Sequence, residues 1–232
     1  MPSTSKTLYF MSSALATAIG IGILGYAMSQ QWSYTTMKCA RSESDLYNGS
    51  ATIDLGLFKG LLKRESCPGF GSTDTFEVVP TLAEGEEVAS LILHGLVVCL
   101  LVLCMVFSAC SILISLYNSV SNPYETYMGP VGIYTCSSIS ACVSVVVLII
   151  FVLNLNVTKM AEDLVTGFIP GISVVLLKES SEMKLGYYLV IPYTALSLLA
   201  IGLIYIYDHA AYTRRREQER PTEDAPKDII MY

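Results

Sequence analysis

Four stretches of this chain run for 20 residues or more without an Asp, Glu, Lys or Arg, and each is apolar almost throughout. An α-helix rises about 1.5 Å per residue, so crossing a hydrocarbon layer of about 30 Å takes roughly 20 such residues. The stretches extend from about Leu8 to Met28, Val88 to Tyr117, Val131 to Leu155 and Gly186 to Tyr207. A mean hydropathy of +0.53 with 15% charged residues is too apolar for an ordinary soluble domain, so the excess must face lipid. A cleavable secretory leader would have an apolar core of only about 7 to 15 residues, so the first stretch reads as a retained helix.

The expected fold is an all-α membrane protein: a four-transmembrane-helix bundle carrying a small disulfide-stapled extracellular β-sheet in its first loop. Residues 1–7 form the N-terminus, 8–29, 88–117, 131–155 and 186–207 the spans, and 208–232 the tail. The long first loop is 30–87, the short second connection 118–130 and the second outer loop 156–185. Four spans put both termini on one side. Arg214, Arg215 and Arg216 directly follow the last span, and basic residues at a span end favour the cytoplasmic face, so both termini are expected in the cytoplasm. Trp32 and Tyr34 stand where interfacial anchors would.

The outer loops carry two matching signals. Asn48-Gly49-Ser50 is a glycosylation sequon in the first loop, and Asn156-Val157-Thr158 is a second, close to the membrane. Of seven cysteines, Cys39 and Cys67 alone lie in the first loop, where an oxidising exterior would pair them; the other five fall within spans as small packing residues. Residues 32–80 mix Tyr, Thr, Val and Phe with Gly and Pro, which suits short strands. Around Val157 to Val165 the second outer loop reads as helical, an extension of the third span.

Helices in lipid associate through small residues that let backbones approach. The first span offers Ser12, Ala16 and Gly20 at a spacing of four, and Ala14, Ala18 and Gly22 likewise. His94 is the one ionisable group well inside a span; without a charged partner in another span, it reads as a neutral side chain bonded to a loop or a neighbouring helix.

Chemistry is sparse. Two histidines, neither in a nucleophile or metal-ligand motif, and no phosphate-binding glycine loop leave no catalytic residues, metal or cofactor to assign. A net charge of −6 excludes nucleic acid as a partner. The terminal Ile230-Met231-Tyr232 has the alternate hydrophobic pattern that adds as a strand to a PDZ groove.

Trp32, then Gly56-Leu57-Phe58, then Cys67, on four spans with a long first loop, resemble the claudin, peripheral myelin protein and clarin superfamily. Claudins end the triplet in Trp and have both loop cysteines after it; here it ends in Phe58 with Cys39 before it, which is similar to clarins. The stretch Tyr117 to Tyr134, the Arg-rich start of the tail and its Ile-Ile-Met-Tyr ending look most like the third vertebrate branch of that family. The resemblance implies a non-enzymatic tetraspan glycoprotein of the plasma membrane, in a family associated with sound perception, hair bundles and actin links. Function is then expected to be that of a membrane scaffold or adhesion-type organiser that meets other membrane proteins through its first loop and PDZ or cytoskeletal adaptors through its tail. The competing expectation is a channel-associated subunit or a paracellular pore component, with Asp54, Glu65 and Asp74 as acids of an outer-loop pore.

Overall fold

The computed structural model describes residues 4–40, 49–67, 71–85, 88–120, 129–167 and 175–218. Asn48 and Ile230 to Tyr232 lie outside the described residues. Four apolar runs become four candidate membrane-spanning helices: Thr4–Ser29, Val88–Val120, Pro130–Asn156 and Leu185–Thr213. The first three are α1, α3 and α4; the fourth combines α6 (Leu185–Tyr188) and α7 (Val190–Gln218). At 33 residues, α3 is about 50 Å long, well over the hydrocarbon thickness, so it projects beyond the membrane.

In the bundle, α1 packs on α3 and α7, and α4 packs on the same two helices from the opposite side. Lipid gives no hydrophobic reason for apolar helices to leave it, so close backbone approach and interhelical hydrogen bonds hold the seams. Serines supply most of these bonds. Ser111 meets Ser137 at 3.0 Å, Ser144 meets Thr194 at 2.7 Å, and Ser108 meets the Tyr193 hydroxyl at 2.8 Å, which also donates to the Cys104 carbonyl at 3.2 Å. Each such bond contributes about 0.6 kcal/mol in the membrane. On α4 the buried positions Ile133, Ser137, Ser140, Ser144, Val147 and Phe151 recur every three or four residues, the period of one helix face.

Of the small residues in α1, Ala14, Ala16 and Gly20 are buried and Ser12 is half-buried, whereas Ala18 and Gly22 are exposed. The packing expected of Ala18 and Gly22 is therefore corrected. Positions two apart on a helix are turned by about 200°, so the two four-residue rows cannot both face inward. Among the glycines of α1, Gly20 meets α7: a Cβ there would lie 3.4 Å from the Tyr193 ring, whereas one at Gly22 or Gly25 would meet nothing within 4 Å.

Outside the spans, β1 (Gln31–Ala40), β2 (Gly49–Gly56), β3 (Lys59–Glu65) and β4 (Ser72–Glu77) form an antiparallel meander, followed by α2 (Val78–Glu84). The sheet is not confined to the first loop, however. A fifth strand, β5 (Val175–Met183), comes from the connection between the third and fourth candidate spans and pairs with β1, giving the order β4-β3-β2-β1-β5. Helix α4 does not run on through Val157 to Val165 either. The Thr158 hydroxyl donates to the Asn154 carbonyl, Lys159 takes a left-handed φ of 54°, and a separate helix, α5 (Met160–Gly167), begins beyond it.

One sheet face is buried. Met37, Cys39, Ile53, Leu55 and Leu62 pack against Leu82 of α2 and Met160, Leu164 and Val165 of α5. Alternate residues on the other face (Tyr34, Thr36, Thr52, Asp54, Leu61, Lys63) are half-buried or exposed, as the two-residue strand period requires. A disulfide joins Cys39 at the end of β1 to Cys67 after β3, with Cα atoms 5.5 Å apart, and so clamps β2 between its two neighbours. With a sequence separation of 28 between the cysteines, the bridge stabilises the fold by roughly 3 to 4 kcal/mol in the chain-entropy account. Cys67→Ser is expected to raise amide exchange of β1 and β2 by that margin while leaving mid-span amides of α3 and α4 unchanged, as hydrogen-exchange mass spectrometry would read.

Candidate functional site

The residues Trp32, Gly56, Leu57 and Phe58 come together where the sheet meets the bundle. Trp32 follows α1 directly and is fully buried. Its indole N–H donates to the carbonyl of Ala27 in the last turn of α1 at 2.9 Å. The ring meets Phe151 of α4 edge-on with centroids 5.0 Å apart, and Tyr187 of α6 at 6.4 Å. An interfacial anchor would be half in water, so that expectation is corrected: Trp32 is a core residue in contact with three helices. Gly186 is the counterpart of this ring. A Cβ there would come within 2.9 Å of the Ala27 carbonyl and closer still to the indole.

The Gly56-Leu57-Phe58 triplet forms the tip between β2 and β3. Gly56 passes so near other backbone that a Cβ would sit 2.8 Å from the Lys59 carbonyl and 3.3 Å from that of Gln30. Leu57 is fully buried in the Trp32 cluster with Val97, Leu101, Val190 and Tyr193. Both carbonyls of the tip are held. His94 of α3 donates from Nε2 to the Leu57 carbonyl at 2.8 Å, and the Val78 N–H at the start of α2 donates to the Phe58 carbonyl at 2.9 Å. A carbonyl only accepts, so this contact fixes the neutral tautomer with its proton on Nε2. Between β5 and α6, the Lys184 N–H donates to the Trp32 carbonyl at 2.9 Å. Sequence reasoning placed His94 in a span and the triplet in a loop; only the fold brings them together.

Beside this junction lies a cleft of about 430 Å³, lined by Met28 at the end of α1, by Gln31 at the start of β1, by Asp54, Phe58 and Lys59, and by Thr75 of β4. Phe58 is 49% exposed. Burial pushes the Asp54 carboxyl above the usual carboxylate range, and the Lys184 ammonium pulls it partly back. Lys184 itself lies 4.8 Å above the Tyr34 ring. The other two acids named for an outer-loop pore are paired, Glu65 with Lys63 and Asp74 with Arg64, each at 2.9 Å. Hydrogen bonds from Arg64 and Ser72 hold Asp74 below the usual carboxylate range. Asn156 is the last residue of α4, and the Thr158 hydroxyl of its sequon is also bonded to the Asn154 side chain at 2.6 Å.

Four candidate spans capped by a disulfide-clamped sheet, with strands from both loops packed on the bundle around one buried tryptophan, define a multi-pass membrane protein of tetraspan type. The family model described as Clarin-2-like matches residues 4–202. Over the full length of both chains, this one is 32% identical to Clarin-3 of Homo sapiens and 30% identical to Clarin-3 of Mus musculus. It is also 28% identical to Clarin-1 of Mus musculus over 71% of this chain and 72% of that one. The chain belongs to the clarin family.

Two substitutions test the junction. Gly186→Ala forces the indole or the α1 end to move, and is expected to destabilise by about 1 to 3 kcal/mol. His94→Leu leaves the buried Leu57 carbonyl without its donor, at a similar cost of about 1 to 3 kcal/mol. Thermal unfolding of the purified full-length protein in detergent should show both as a lowered midpoint; Gly22→Ala, where a Cβ would meet nothing within 4 Å, should leave it unchanged.

Proposed function

We propose that this protein is a non-enzymatic organiser of the plasma membrane, in which the helix bundle holds the sheet rigidly on the extracellular side for recognition of another membrane protein. The observation that carries this reading is the construction of the sheet. It draws strands from both outer loops, is clamped by Cys39–Cys67, and is tied to three helices through Trp32, while one face is left partly open. A loop with no fixed partner surface would not need that rigidity, because preorganising a surface lowers the entropic cost of binding.

The open face carries Tyr34, Leu61, Asp54 and Lys63, a mixture of aromatic, apolar and charged groups suited to a protein partner. Both termini are cytoplasmic in this reading, Asn48 is the preferred glycosylation site, and the tail ending in Ile230-Met231-Tyr232 recruits a PDZ or cytoskeletal adaptor. The sensory role that the clarin resemblance implies, including perception of sound, attaches here as a proposal. The pore alternative draws less support: Glu65 and Asp74 are already paired with Lys63 and Arg64, which leaves Asp54 as the unpaired acid of the three.

Affinity purification of the full chain from epithelial cells, without reductant and followed by mass spectrometry, separates these readings. Tyr34→Ala with Leu61→Ala is expected to lower recovery of membrane partners at least fivefold, while removal of Ile230 to Tyr232 should release only cytoplasmic adaptors. If the paired alanine changes leave all partners in place and a channel pore subunit dominates them, the channel-associated reading replaces this one.

A further inference from the structure

We infer that the cleft beside the junction is a binding site for the zwitterionic headgroup of a membrane phospholipid, with Asp54 receiving its ammonium and Lys59 its phosphate. Asp54 and Lys59 both line the cleft, and they belong to the same face of the β2–β3 hairpin. The register sets Asp54 opposite Leu61, so Lys59, two residues before Leu61, is its diagonal neighbour. Diagonal neighbours in an antiparallel pair have backbones roughly 7 to 8 Å apart, within reach of a long side chain, yet Asp54 and Lys59 form no ion pair, and a ligand carrying both charges can engage the two together.

Neither group bonds directly to another described side chain, although Glu77 stands opposite Lys59 across the β3–β4 pair. Among the described residues, no hydrogen bond or ion pair reaches the Asp54 carboxylate or the Lys59 ammonium, although Asp54 is half-buried. A partly desolvated carboxylate without a direct partner costs free energy that a bound cation would offset. Lys184, whose ammonium lies over the ring of Tyr34 directly opposite Asp54, offsets part of that cost through space without bonding to the carboxylate.

The remaining walls identify a lipid rather than a soluble zwitterion. Met28, Leu57, Phe58 and Leu61 give the cleft an apolar side, and Met28 belongs to the last turn of α1, where the candidate span ends. The cleft thus lies beside the end of a candidate span, where the proposed orientation would bring lipid headgroups, and the Phe58 ring beside it is exposed. A choline or ethanolamine phospholipid carries a phosphate and an ammonium separated by two carbons above an apolar body; by register Lys59 stands next to the apolar tip of the hairpin and Asp54 farther from it, so phosphate and ammonium would follow in that order.

Native mass spectrometry of the full-length protein in detergent tests the site, with dioleoylphosphatidylethanolamine, anionic dioleoylphosphatidylglycerol and soluble phosphoethanolamine as probes. Wild type should retain the ethanolamine lipid in preference to the glycerol lipid, and phosphoethanolamine should not displace it. Asp54→Asn is expected to weaken retention of the ethanolamine lipid about fivefold, a loss of about 1 kcal/mol, while leaving the glycerol lipid unaffected. Asp54→Glu should restore it, Lys59→Gln should weaken both lipids, and Lys63→Gln on the same face but outside the cleft should weaken neither. Equal retention of the two lipids by wild type, an Asp54→Asn variant that behaves as wild type with its disulfide intact, or full displacement by phosphoethanolamine would each overturn the proposal.

Discussion

The bond from the Trp32 indole to the Ala27 carbonyl ties the sheet to the membrane bundle, and the rest of the architecture depends on it. A tryptophan buried against Phe151, Tyr187 and Gly186 connects α1, α4 and the start of the fourth span in one contact, and removing so large a buried ring typically costs about 3 to 5 kcal/mol. Because Trp32 is also the second residue of β1, the direction in which the sheet leaves the membrane follows from the last turn of α1. Leu57 and His94 add a second fastening on the far side of the hairpin, so the sheet cannot pivot about a single point.

Two solvents divide the forces in this molecule. Above the spans, a hydrophobic core between the sheet, α2 and α5 is driven by water in the ordinary way, and the disulfide limits the unfolded alternatives of the strands. Within the spans, that drive is absent and serine, threonine and tyrosine hydroxyls take over, pairing across the α3–α4 and α3–α7 seams. The junction lies where these regimes meet, which is why it combines a buried aromatic cluster with fully used backbone carbonyls.

The spans and the disulfide were legible in the sequence, because a charge-free run of 25 residues has few soluble uses and two loop cysteines have one obvious partner each. The fifth strand was not. Val175-Leu-Leu-Lys-Glu-Ser-Ser-Glu-Met183 has no steady alternation, and its register with β1 shifts midway, so the pattern that marks a strand is broken where it would be sought. The serine seam of α4 was visible as composition, yet its meaning rests on a three-to-four spacing that becomes evident only when the burial of Ser137, Ser140 and Ser144 is known. The site itself was half legible. Trp32 and Gly56-Leu57-Phe58 stood out as a motif, but their contact with His94 is set by tertiary structure, 37 residues away along the chain from Leu57.

Trp32 is the only tryptophan in the chain, so its fluorescence reports on the junction without labelling. Emission and iodide quenching of the full-length protein in lipid nanodiscs would test the central claim most directly. A blue-shifted emission that iodide fails to quench, moving red when Gly186 is replaced by Ala, is the expected result. Emission resembling free indole in water, quenched by iodide in the native protein, would contradict the burial of Trp32 and with it the rigid attachment of the sheet to the bundle.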